Sequence, residues 1–233
     1  LENKPDISYV SAAIESIISY LETDNLILIE STCPIGTTEM MAKRLRIVCS
    51  NIFIAYCPER ILPGNILSEL IYNDRIVGGI DNQSGTQAAD FYRSFIHGKI
   101  EVTDSKTAEA VKLAENTYRD INIAYANELS MIADHINVNI NELISLANKH
   151  PRVNILQPGP GVGGHCIAID PYFLAHSASE FSQLTLKARE VNINKATWVI
   201  QKIKKVAKEN NVRIIACLGL TYKPNVPDTR ESP

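Results

Sequence analysis

Residues 25–46, NLILIESTCPIGTTEMMAKRLR, indicate the fold class of the N-terminal half of this chain. The apolar run from Leu26 to Ile29 has the length of a strand, and Pro34 and Gly36 then turn the chain. The residues after Gly36 have a helical composition, with Thr37 or Thr38 as the expected N-cap. The stretch therefore predicts a strand, a loop and a helix in direct succession.

Three further apolar runs continue this alternation up to about residue 104. They are NIFIAYCPER (51–60), DRIVGGI (74–80) and KIEVTD (99–104), and the segment 85–97 between the last two has helical spacing. Strands that alternate with helices indicate a parallel sheet covered by helices on both faces. We therefore predict that residues 1–104 form part of a doubly wound, Rossmann-like α/β domain.

Residues 105–211 have a different, almost entirely helical pattern. The spacing predicts long helices over residues 105–136 and 185–211. Between them, the segment 140–154 predicts a helix that is stopped by Pro151. The run VRIIACLGL that follows predicts the first strand of a second α/β domain in residues 212–233. Because a buried strand needs neighbours to pair with, we expect the chain to be an internal piece of a longer protein.

The composition of the chain excludes several classes of function. No segment approaches the roughly 20 apolar residues of a membrane span. A net charge of −3 without a basic block argues against a nucleic-acid surface. The 5 cysteines are scattered and have no C-x-x-C spacing, which argues against a disulfide framework and a zinc site. We expect a cytoplasmic protein without a metal.

The Gly-rich stretch GPGVGGHCIAIDPYFL (159–174) fits three interpretations: a phosphate-binding loop, a reactive thiol or only a tight turn. Gly159, Gly161 and Gly164 match G-x-G-x-x-G, which binds a dinucleotide when it follows a strand and begins a helix. Neither flank meets that condition, and Pro158 and Pro160 have no N–H to donate. The glycines are better explained by a close-packed backbone at a site.

Cys166 lies within this Gly-rich turn. A lone cysteine is most often a small buried apolar side chain. Successive amides in such a turn can, however, stabilise a thiolate. Asp170 suits proton handling better than thiol activation, because a nearby carboxylate raises the pKa of a thiol. A catalytic pair with His165 is disfavoured because neighbouring side chains usually point apart.

A polar stripe is predicted on the first long helix. Lys112 and Asn116 are four residues apart and share one helix face, which Glu109, Arg119 and Asp120 extend. Such a stripe is either solvated or directed into a cleft, where an ammonium and an amide can stabilise a developing alkoxide. The sequence leaves these two alternatives open.

Polar residues also follow the predicted strands. Thr32 follows the first strand, and Glu59 and Arg60 follow the second, at the sheet edge where α/β proteins bind ligands. Further cations occur in loops, at Arg152, Lys223 and Arg230. In a chain of net negative charge, this placement favours an anionic small ligand such as a nucleotide.

Five segments together resemble the nucleotide-sugar 6-dehydrogenases, the family that includes UDP-glucose dehydrogenase. They are ESTCPIGTTE, AYCPERILPG, AEAVKLAENTYRDINIAYANEL, GPGVGGHCIAIDP and LGLTYKPNVPDTRES, and they occur in the family's order over nearly the whole chain. Within the family, CPER, HPRVN and PGPGVGGHC are similar to the members that oxidise UDP-N-acetyl-D-mannosamine. The family's opening strand with G-x-G-x-x-G, and most of its C-terminal domain, have no counterpart here.

The resemblance implies an NAD-dependent, two-step oxidation of UDP-N-acetyl-D-mannosamine to UDP-N-acetyl-D-mannosaminuronic acid. The C6 hydroxyl becomes an aldehyde, Cys166 attacks it to give a thiohemiacetal, and a second oxidation gives a thioester that water cleaves. Lys112 and Asn116 are implied to stabilise the oxyanion and handle its proton. Glu59 and Asp170 are implied to position and deprotonate water.

The resemblance also implies binding residues and the roles of the domains. Thr32 and Arg230 match cofactor contacts. The substrate contacts, besides Lys112 and Asn116, are Arg60, Ile61, Arg119, His150, Arg152, Gly163, Tyr222 and Lys223. Residues 1–104 then form the C-terminal part of an NAD-binding domain, 105–211 a central dimerisation domain with the cysteine loop, and 212–233 the start of a truncated UDP-sugar-binding domain.

Three alternatives stay open after the resemblance. UDP-N-acetylglucosamine and UDP-glucose are rival substrates, and the chain could instead be a non-catalytic piece that only mediates dimerisation. We expect a homodimer, with His150 and Arg152 reaching across it. The helix predicted over residues 185–211 carries more apolar surface than one neighbouring helix needs to bury.

Overall fold

The computed structural model describes residues 4–61, 65–222, 228–229 and 232–233, and this part of the chain contains eight α-helices and four strands. The strands are β1 (Leu26–Ile29), β2 (Phe53–Tyr56), β3 (Arg75–Gly79) and β4 (Ile100–Asp104). The helices are α1 (Ser8–Ile17), α2 (Thr37–Val48), α3 (Ile66–Tyr72), α4 (Asn82–Arg93), α5 (Ser105–His135), α6 (Ile140–Ala147), α7 (Asp170–Ser177) and α8 (Gln183–Glu209). The chain divides into two compact units, residues 1–114 and 115–233, and the division falls inside α5.

The first unit is built on one sheet of order β1-β2-β3-β4. β1 pairs with β2, and β3 pairs with β4, in parallel, as the alternation of strands and helices predicts. β2 and β3 pair in antiparallel orientation, so the prediction of a parallel sheet is wrong for this central pair. In the described part of the connection between them the one α-helix is the seven-residue α3, and antiparallel neighbours need no helical crossover.

Helices pack on both faces of this sheet and close two cores. On one face, Ile29 and Ile54 pack against Met41 and Leu45 of α2 and Ile14 of α1. The other core contains side chains on or just beyond β2, β3 and α4: Ala55, Cys57, Val77, Ala88, Tyr92 and Ile96. This arrangement agrees with the predicted α/β architecture, because a strand covered on both faces is apolar along its whole length.

Three of the helices begin at side-chain caps. Asp81 accepts a hydrogen bond from the backbone N–H of Ser84 at the start of α4, and Asp104 accepts from the N–H of Thr107 at the start of α5. Asn139 caps α6 by accepting from two backbone amides. Each acceptor satisfies donors that a helix leaves unpaired in its first turn.

The second unit contains the rest of α5 with α6, α7 and α8. The long helices α5 and α8 are where the spacing predicts them, and α6, which Pro151 is expected to stop, ends at Ala147. Beyond it, the side chain of Asn148 both donates to and accepts from the backbone of Ile155, which folds the chain back before the Gly-rich stretch. Among the described residues, no helix is long and apolar enough to cross a membrane.

The strand predicted from VRIIACLGL does not form in the described structure. Residues 212–222 have no strand assignment, and Ile214 and Leu218 are 88% and 93% exposed. A strand exists only through hydrogen bonds to a neighbouring strand, and residues 212–222 have no such partner among the described residues. The predicted first strand of a second α/β domain is therefore wrong for this structure.

Candidate active site

The loop after β1 is held from the side by a buried carboxylate of α5. Glu109 is fully buried and accepts hydrogen bonds from the backbone N–H of Gly36 at 2.5 Å and of Thr38 at 2.7 Å. It also accepts from the hydroxyl of Thr38 at 2.6 Å. Glu109 therefore caps α2 from another helix, and the solvated alternative for the polar stripe is wrong at this position.

This geometry corrects the expected N-cap. Gly36 occupies the N-cap position with φ +93°, a conformation that favours glycine, and Thr37 and Thr38 are already the first helical residues. Gly36 has no side chain that could accept a hydrogen bond, so Glu109 supplies the acceptor. Because its carboxylate occupies the first amides of α2, that helix end does not offer a pyrophosphate site of the kind helix N-termini provide. Thr32 is half-buried at the carboxyl end of β1 and fits a polar contact to a cofactor at that edge.

The loop after β2 contains Glu59, which is exposed. Lys112 donates a hydrogen bond from Nζ to the backbone carbonyl of Glu59 at 2.5 Å, so the lysine lies directly against this loop. The Glu59 carboxylate accepts from the backbone N–H of Ile61. Arg60 donates from Nη2 to the backbone carbonyl of Asp74 at 2.5 Å. The first unit thus brings together four residues of the predicted site, Glu59, Arg60, Ile61 and Lys112.

Cys166 lies in the second unit, in the turn that precedes α7. Its side chain is exposed, and its backbone carbonyl accepts from the N–H of Ile169 at 3.1 Å and of Asp170 at 2.8 Å. The thiol therefore sits at the start of a hydrogen-bonded turn that leads directly into a helix. An exposed thiol in such a turn can be reached by a small molecule, as a nucleophile must be.

Asp170, the first residue of α7, is buried and oriented by an amide. Its Oδ2 accepts from Nδ2 of Asn116 at 2.5 Å, which fixes the orientation of the carboxylate. Asn116 and Asp170 were predicted to act at the same site, and the second unit places them in contact. A buried carboxylate held in one orientation is suited to accept a proton from a bound group.

Two more predicted residues, Gly163 and Tyr222, lie in or against the Gly-rich turn. Gly163 is half-buried, and the following Gly164 has φ +88°. The ring of Tyr222 lies so close to Gly164 that a Cβ there would approach its Cε2 to 2.7 Å. Gly164 is therefore required both by its backbone conformation and by the tyrosine ring.

The other predicted substrate residues of the second unit are exposed. Arg119 lines a cleft of about 550 Å³ together with Tyr118 and Asn122 of α5 and with Asn154 and Gln157 of the following loop. His150 and Arg152 lie beyond the end of α6, and the Nδ1 of His150 accepts from the backbone N–H of Arg152 at 3.3 Å. Lys223 and Arg230 lie outside the described residues.

The second unit contains a buried ion pair that the sequence does not predict. Asp120 and Arg189 are both buried and joined by a 2.6 Å contact between Oδ1 and Nη1. Burial raises the pKa of the Asp120 carboxyl, and the Arg189 guanidinium opposes that shift. The solvated alternative for the polar stripe is thus wrong at Asp120, while Arg119 next to it is exposed. Buried polar partners in two separated helices leave no signal in a single sequence beyond helical spacing.

Two sequence models of one family match most of this chain. Residues 1–96 match the NAD binding domain of the UDP-glucose/GDP-mannose dehydrogenase family, and residues 106–195 match its central domain. The chain belongs to this family. The predicted family, the α/β fold class and NAD as the cofactor of the family are thereby confirmed.

Curated relatives share about half of the chain's residues. The chain is 55% identical over 232 residues to a UDP-N-acetyl-D-mannosamine dehydrogenase of Methanocaldococcus jannaschii, covering 100% of this chain and 54% of that protein. It is 49% identical over 246 residues to an NDP-N-acetyl-D-galactosaminuronic acid dehydrogenase of Ralstonia nicotianae, covering 100% of this chain and 58% of that protein. The chain thus spans little more than half the length of these relatives.

Solved structures agree with the fold. A UDP-D-ManNAc dehydrogenase from Pyrococcus horikoshii superposes with a TM-score of 0.95 at 43% identity, over 100% of this chain and 58% of that one. A UDP-glucose dehydrogenase from Pyrobaculum islandicum superposes with a TM-score of 0.80 at 23% identity, over 97% of this chain and 55% of that one, which shows the fold alone.

Proposed function

We propose that the protein to which this chain belongs oxidises the C6 hydroxyl of UDP-N-acetyl-D-mannosamine to a carboxylate, with NAD as oxidant. Membership of the dehydrogenase family supports the reaction class, and the relatives of known name support the substrate. The observation that carries the proposal is the exposed Cys166, four residues before a buried Asp170 that Asn116 orients. A thiol suits a two-step oxidation because it converts an aldehyde into a thioester that water can open.

The roles proposed for the side chains follow from their chemistry. Cys166 adds to the C6 aldehyde to give a thiohemiacetal, and oxidation at C6 then leaves a thioester on its sulfur. Lys112 and Asn116 stabilise the oxyanion of each adduct, and Asp170 takes the proton of the water that cleaves the thioester. Glu59 positions that water.

Among the described residues, Thr32 is the one that we propose as a contact of NAD. When bound, NAD accepts a hydride from C6 at each oxidation, so two NAD are reduced for each acid formed. Thr32 at the end of β1, and Arg230 outside the described residues, are proposed to contact it.

The choice of sugar rests on the relatives. The name of the Methanocaldococcus jannaschii relative supports UDP-N-acetyl-D-mannosamine as the substrate here. The Ralstonia nicotianae relative is nearly as similar, and its name gives an N-acetylgalactosamine-derived sugar acid, which makes this the second candidate. To separate these candidates, the complete protein is incubated with each UDP-sugar in turn, and the products are identified by mass spectrometry and NMR. UDP-N-acetylglucosamine and UDP-glucose are tested in the same way.

The covalent role of Cys166 is tested by replacing it with serine in the complete protein. We expect Cys166→Ser to lower acid formation by about 10³-fold, because a hydroxyl is a far weaker nucleophile than a thiolate near neutral pH. Cys217, which is also exposed, is the matched control, and Cys217→Ser should keep two NADH per acid at the wild-type rate. Acid formation near the wild-type rate by Cys166→Ser would refute the covalent mechanism.

We also propose that the central helices mediate a homodimer. The support is a row of exposed apolar side chains along α8, formed by Ile193, Ile200, Ile203 and Val206, which are 45% to 53% exposed. Apolar rows of this length on a helix are usually covered by another surface.

A further inference from the structure

A chain of buried side chains connects α8 and α5 to the Gly-rich loop. Asp120 accepts through Oδ1 from Nδ2 of Asn192 at 2.8 Å, and Asn192 accepts through Oδ1 from Nδ2 of Asn127 at 2.9 Å. Asn127 in turn accepts through Oδ1 from the backbone N–H of Gly159 at 2.9 Å. Asp120, Asn192 and Asn127 are 1%, 1% and 0% exposed, and we call these three side chains the amide relay.

The carboxylate at one end fixes the direction of the whole relay. An ionised Asp120 carboxylate can only accept hydrogen bonds, and the backbone carbonyl of Asp120 also accepts from Nδ2 of Asn192 at 3.1 Å. Asn192 must therefore direct its NH₂ group towards Asp120 and its carbonyl oxygen away from it. That oxygen needs a donor, and the NH₂ group of Asn127 supplies it. The carbonyl oxygen of Asn127 is then left facing the loop, where it accepts from Gly159. Both amides are thereby held in one of their two flipped orientations.

The loop is contacted from the same cluster at a second point. Arg189, paired with Asp120, donates from Nη1 to the backbone carbonyl of Ile167 at 3.5 Å and lies 5.9 Å from the ring centre of Tyr172 in α7. Gly159 and Ile167 bracket Cys166 and the glycines before it. One buried ion pair and two amides therefore hold the segment on both sides of the thiol.

We propose that Asp120, Asn192 and Asn127 are positioning residues that fix the loop carrying Cys166 by presenting a single, correctly oriented acceptor to the amide of Gly159. The catalytic consequence rests on the proposed function, in which Cys166 is the nucleophile. A nucleophile misplaced by about 1 Å can lose about 100-fold in rate, so a rigid anchor at Gly159, seven residues before Cys166, is of direct use to it. Apolar side chains would fill the same space at lower cost, but they could not present an acceptor to this amide.

Gly159 is a selective reporter of this contact. Pro158 and Pro160 have no N–H, so Gly159 has the only backbone amide between residues 157 and 161. Its exchange with deuterium, measured by NMR on the complete protein, reports on the relay without any assumption about activity. Loss of one buried acceptor should speed local exchange by about 10- to 100-fold.

The first variant is Asn127→Ala, with Asn194→Ala as its control. Asn194 lies on α8 two residues beyond Asn192 and is exposed, so the same truncation there touches no part of the relay. We expect Asn127→Ala to speed exchange at Gly159 by about 10- to 100-fold, with the amides of α5 and α8 within about threefold of wild type. We further expect kcat to fall at least about 10-fold with the KM for NAD little changed.

An isosteric variant tests whether Gly159 needs an acceptor or only a filled space. In Asn127→Asp, a carboxylate oxygen can still accept from the Gly159 amide, although the NH₂ group that donates to Asn192 is lost. We expect exchange at Gly159 to be slower in Asn127→Asp than in Asn127→Ala.

The outcomes separate the relay from a general contribution to folding and from the proposed function. Equal acceleration of exchange across α5, α8 and Gly159, or exchange at Gly159 that is as fast in Asn127→Asp as in Asn127→Ala, would overturn the proposal. If the alanine variant is not recovered in folded form, Asn127→Leu, which fills the space without offering an acceptor, takes its place. A wild-type protein that makes no sugar acid refutes the proposed function, while the exchange data still decide whether the relay fixes the loop.

Discussion

Replacing Glu109 by glutamine exchanges one heavy atom in the core of the first unit and removes part of the cap of α2. The carboxylate of Glu109 accepts hydrogen bonds from the backbone amides of Gly36 and Thr38 and from the Thr38 hydroxyl, and a weaker one from the Cys33 thiol. Its two oxygens divide these bonds, with Oε2 facing Gly36 and Oε1 facing Thr38. A glutamine keeps one oxygen and places an NH₂ group where the other was, so one backbone N–H faces another donor.

The size of the effect follows from these contacts. Leaving a buried donor without its acceptor costs about 1–3 kcal/mol, and hydrogen bonds to charged groups are about twice as strong as neutral ones. Removing a negative charge from a helix N-terminus costs up to about 2 kcal/mol more in a buried setting. We expect the free energy of unfolding to fall by about 3 kcal/mol, which for a chain of this length lowers the Tm by about 6–12 °C.

The assay combines thermal unfolding with a local probe. Circular dichroism gives the Tm, and alkylation of Cys33 reports on the loop itself, because its Sγ lies 3.8 Å from Oε1 of Glu109. Burial and the charge of the Glu109 carboxylate both raise the pKa of the Cys33 thiol. In Glu109→Gln the loop is opened and that charge is lost, so alkylation of Cys33 should be faster. Glu128→Gln, at an exposed position of the same helix, is the control. A Tm shift no larger than that of the control would refute the capping argument.

Two further predictions concern the thiols and the oligomeric state. Burial raises the pKa of Cys33 and of Cys57 to about 12, so their thiolate fraction at pH 8 is about 1000-fold lower than that of an ordinary thiol. Both should stay unlabelled by iodoacetamide in native protein while exposed Cys217 reacts. Labelling of all three cysteines at similar rates would contradict this prediction. Ile200→Lys on the apolar row of α8 should shift the complete protein from dimer to monomer in light scattering, and a wild-type monomer at micromolar concentration would contradict the proposed dimer.

Much of the fold is predictable from local pattern. The four strands and the long helices α5 and α8 lie where apolar periodicity predicts them, because burial of one face or both faces dictates that periodicity. The antiparallel pairing of β2 with β3 is not predictable in this way, since a buried strand has the same composition in either direction. The strand pattern at residues 212–222 failed because a strand needs a partner, and pattern alone does not supply one.

Some residues of the candidate site can be identified from the sequence and others cannot. Cys166, Asp170 and Asn116 were identified from motifs and from a family resemblance, and the contact between Asn116 and Asp170 agrees with their expected proximity. Glu109 and Asp120 were seen only as members of a polar stripe. Helical spacing places them beside exposed residues such as Arg119, so spacing cannot tell a buried acceptor from a solvated side chain.

The two buried carboxylates can nevertheless be traced to a need in the loops they serve. Gly36 begins α2 without a side chain that could cap it, and Gly159 lies between two prolines, so neither glycine can supply a side-chain acceptor. An amide that leaves water must find an acceptor elsewhere, and in both units a side chain of α5 supplies it. Glu109 accepts from the amide of Gly36. Asn127, which Asp120 orients through Asn192, accepts from the amide of Gly159. A glycine loop with no Ser, Thr, Asp or Asn positioned to cap it therefore predicts a buried Glu, Asp or Asn on a neighbouring helix. Placing an acceptor in such a loop tests this inference: with Gly36→Asn, which tolerates positive φ and can cap α2 itself, the loss of stability caused by Glu109→Gln should be smaller than in the wild-type background. An undiminished loss would show that Glu109 stabilises the loop by something other than supplying an acceptor.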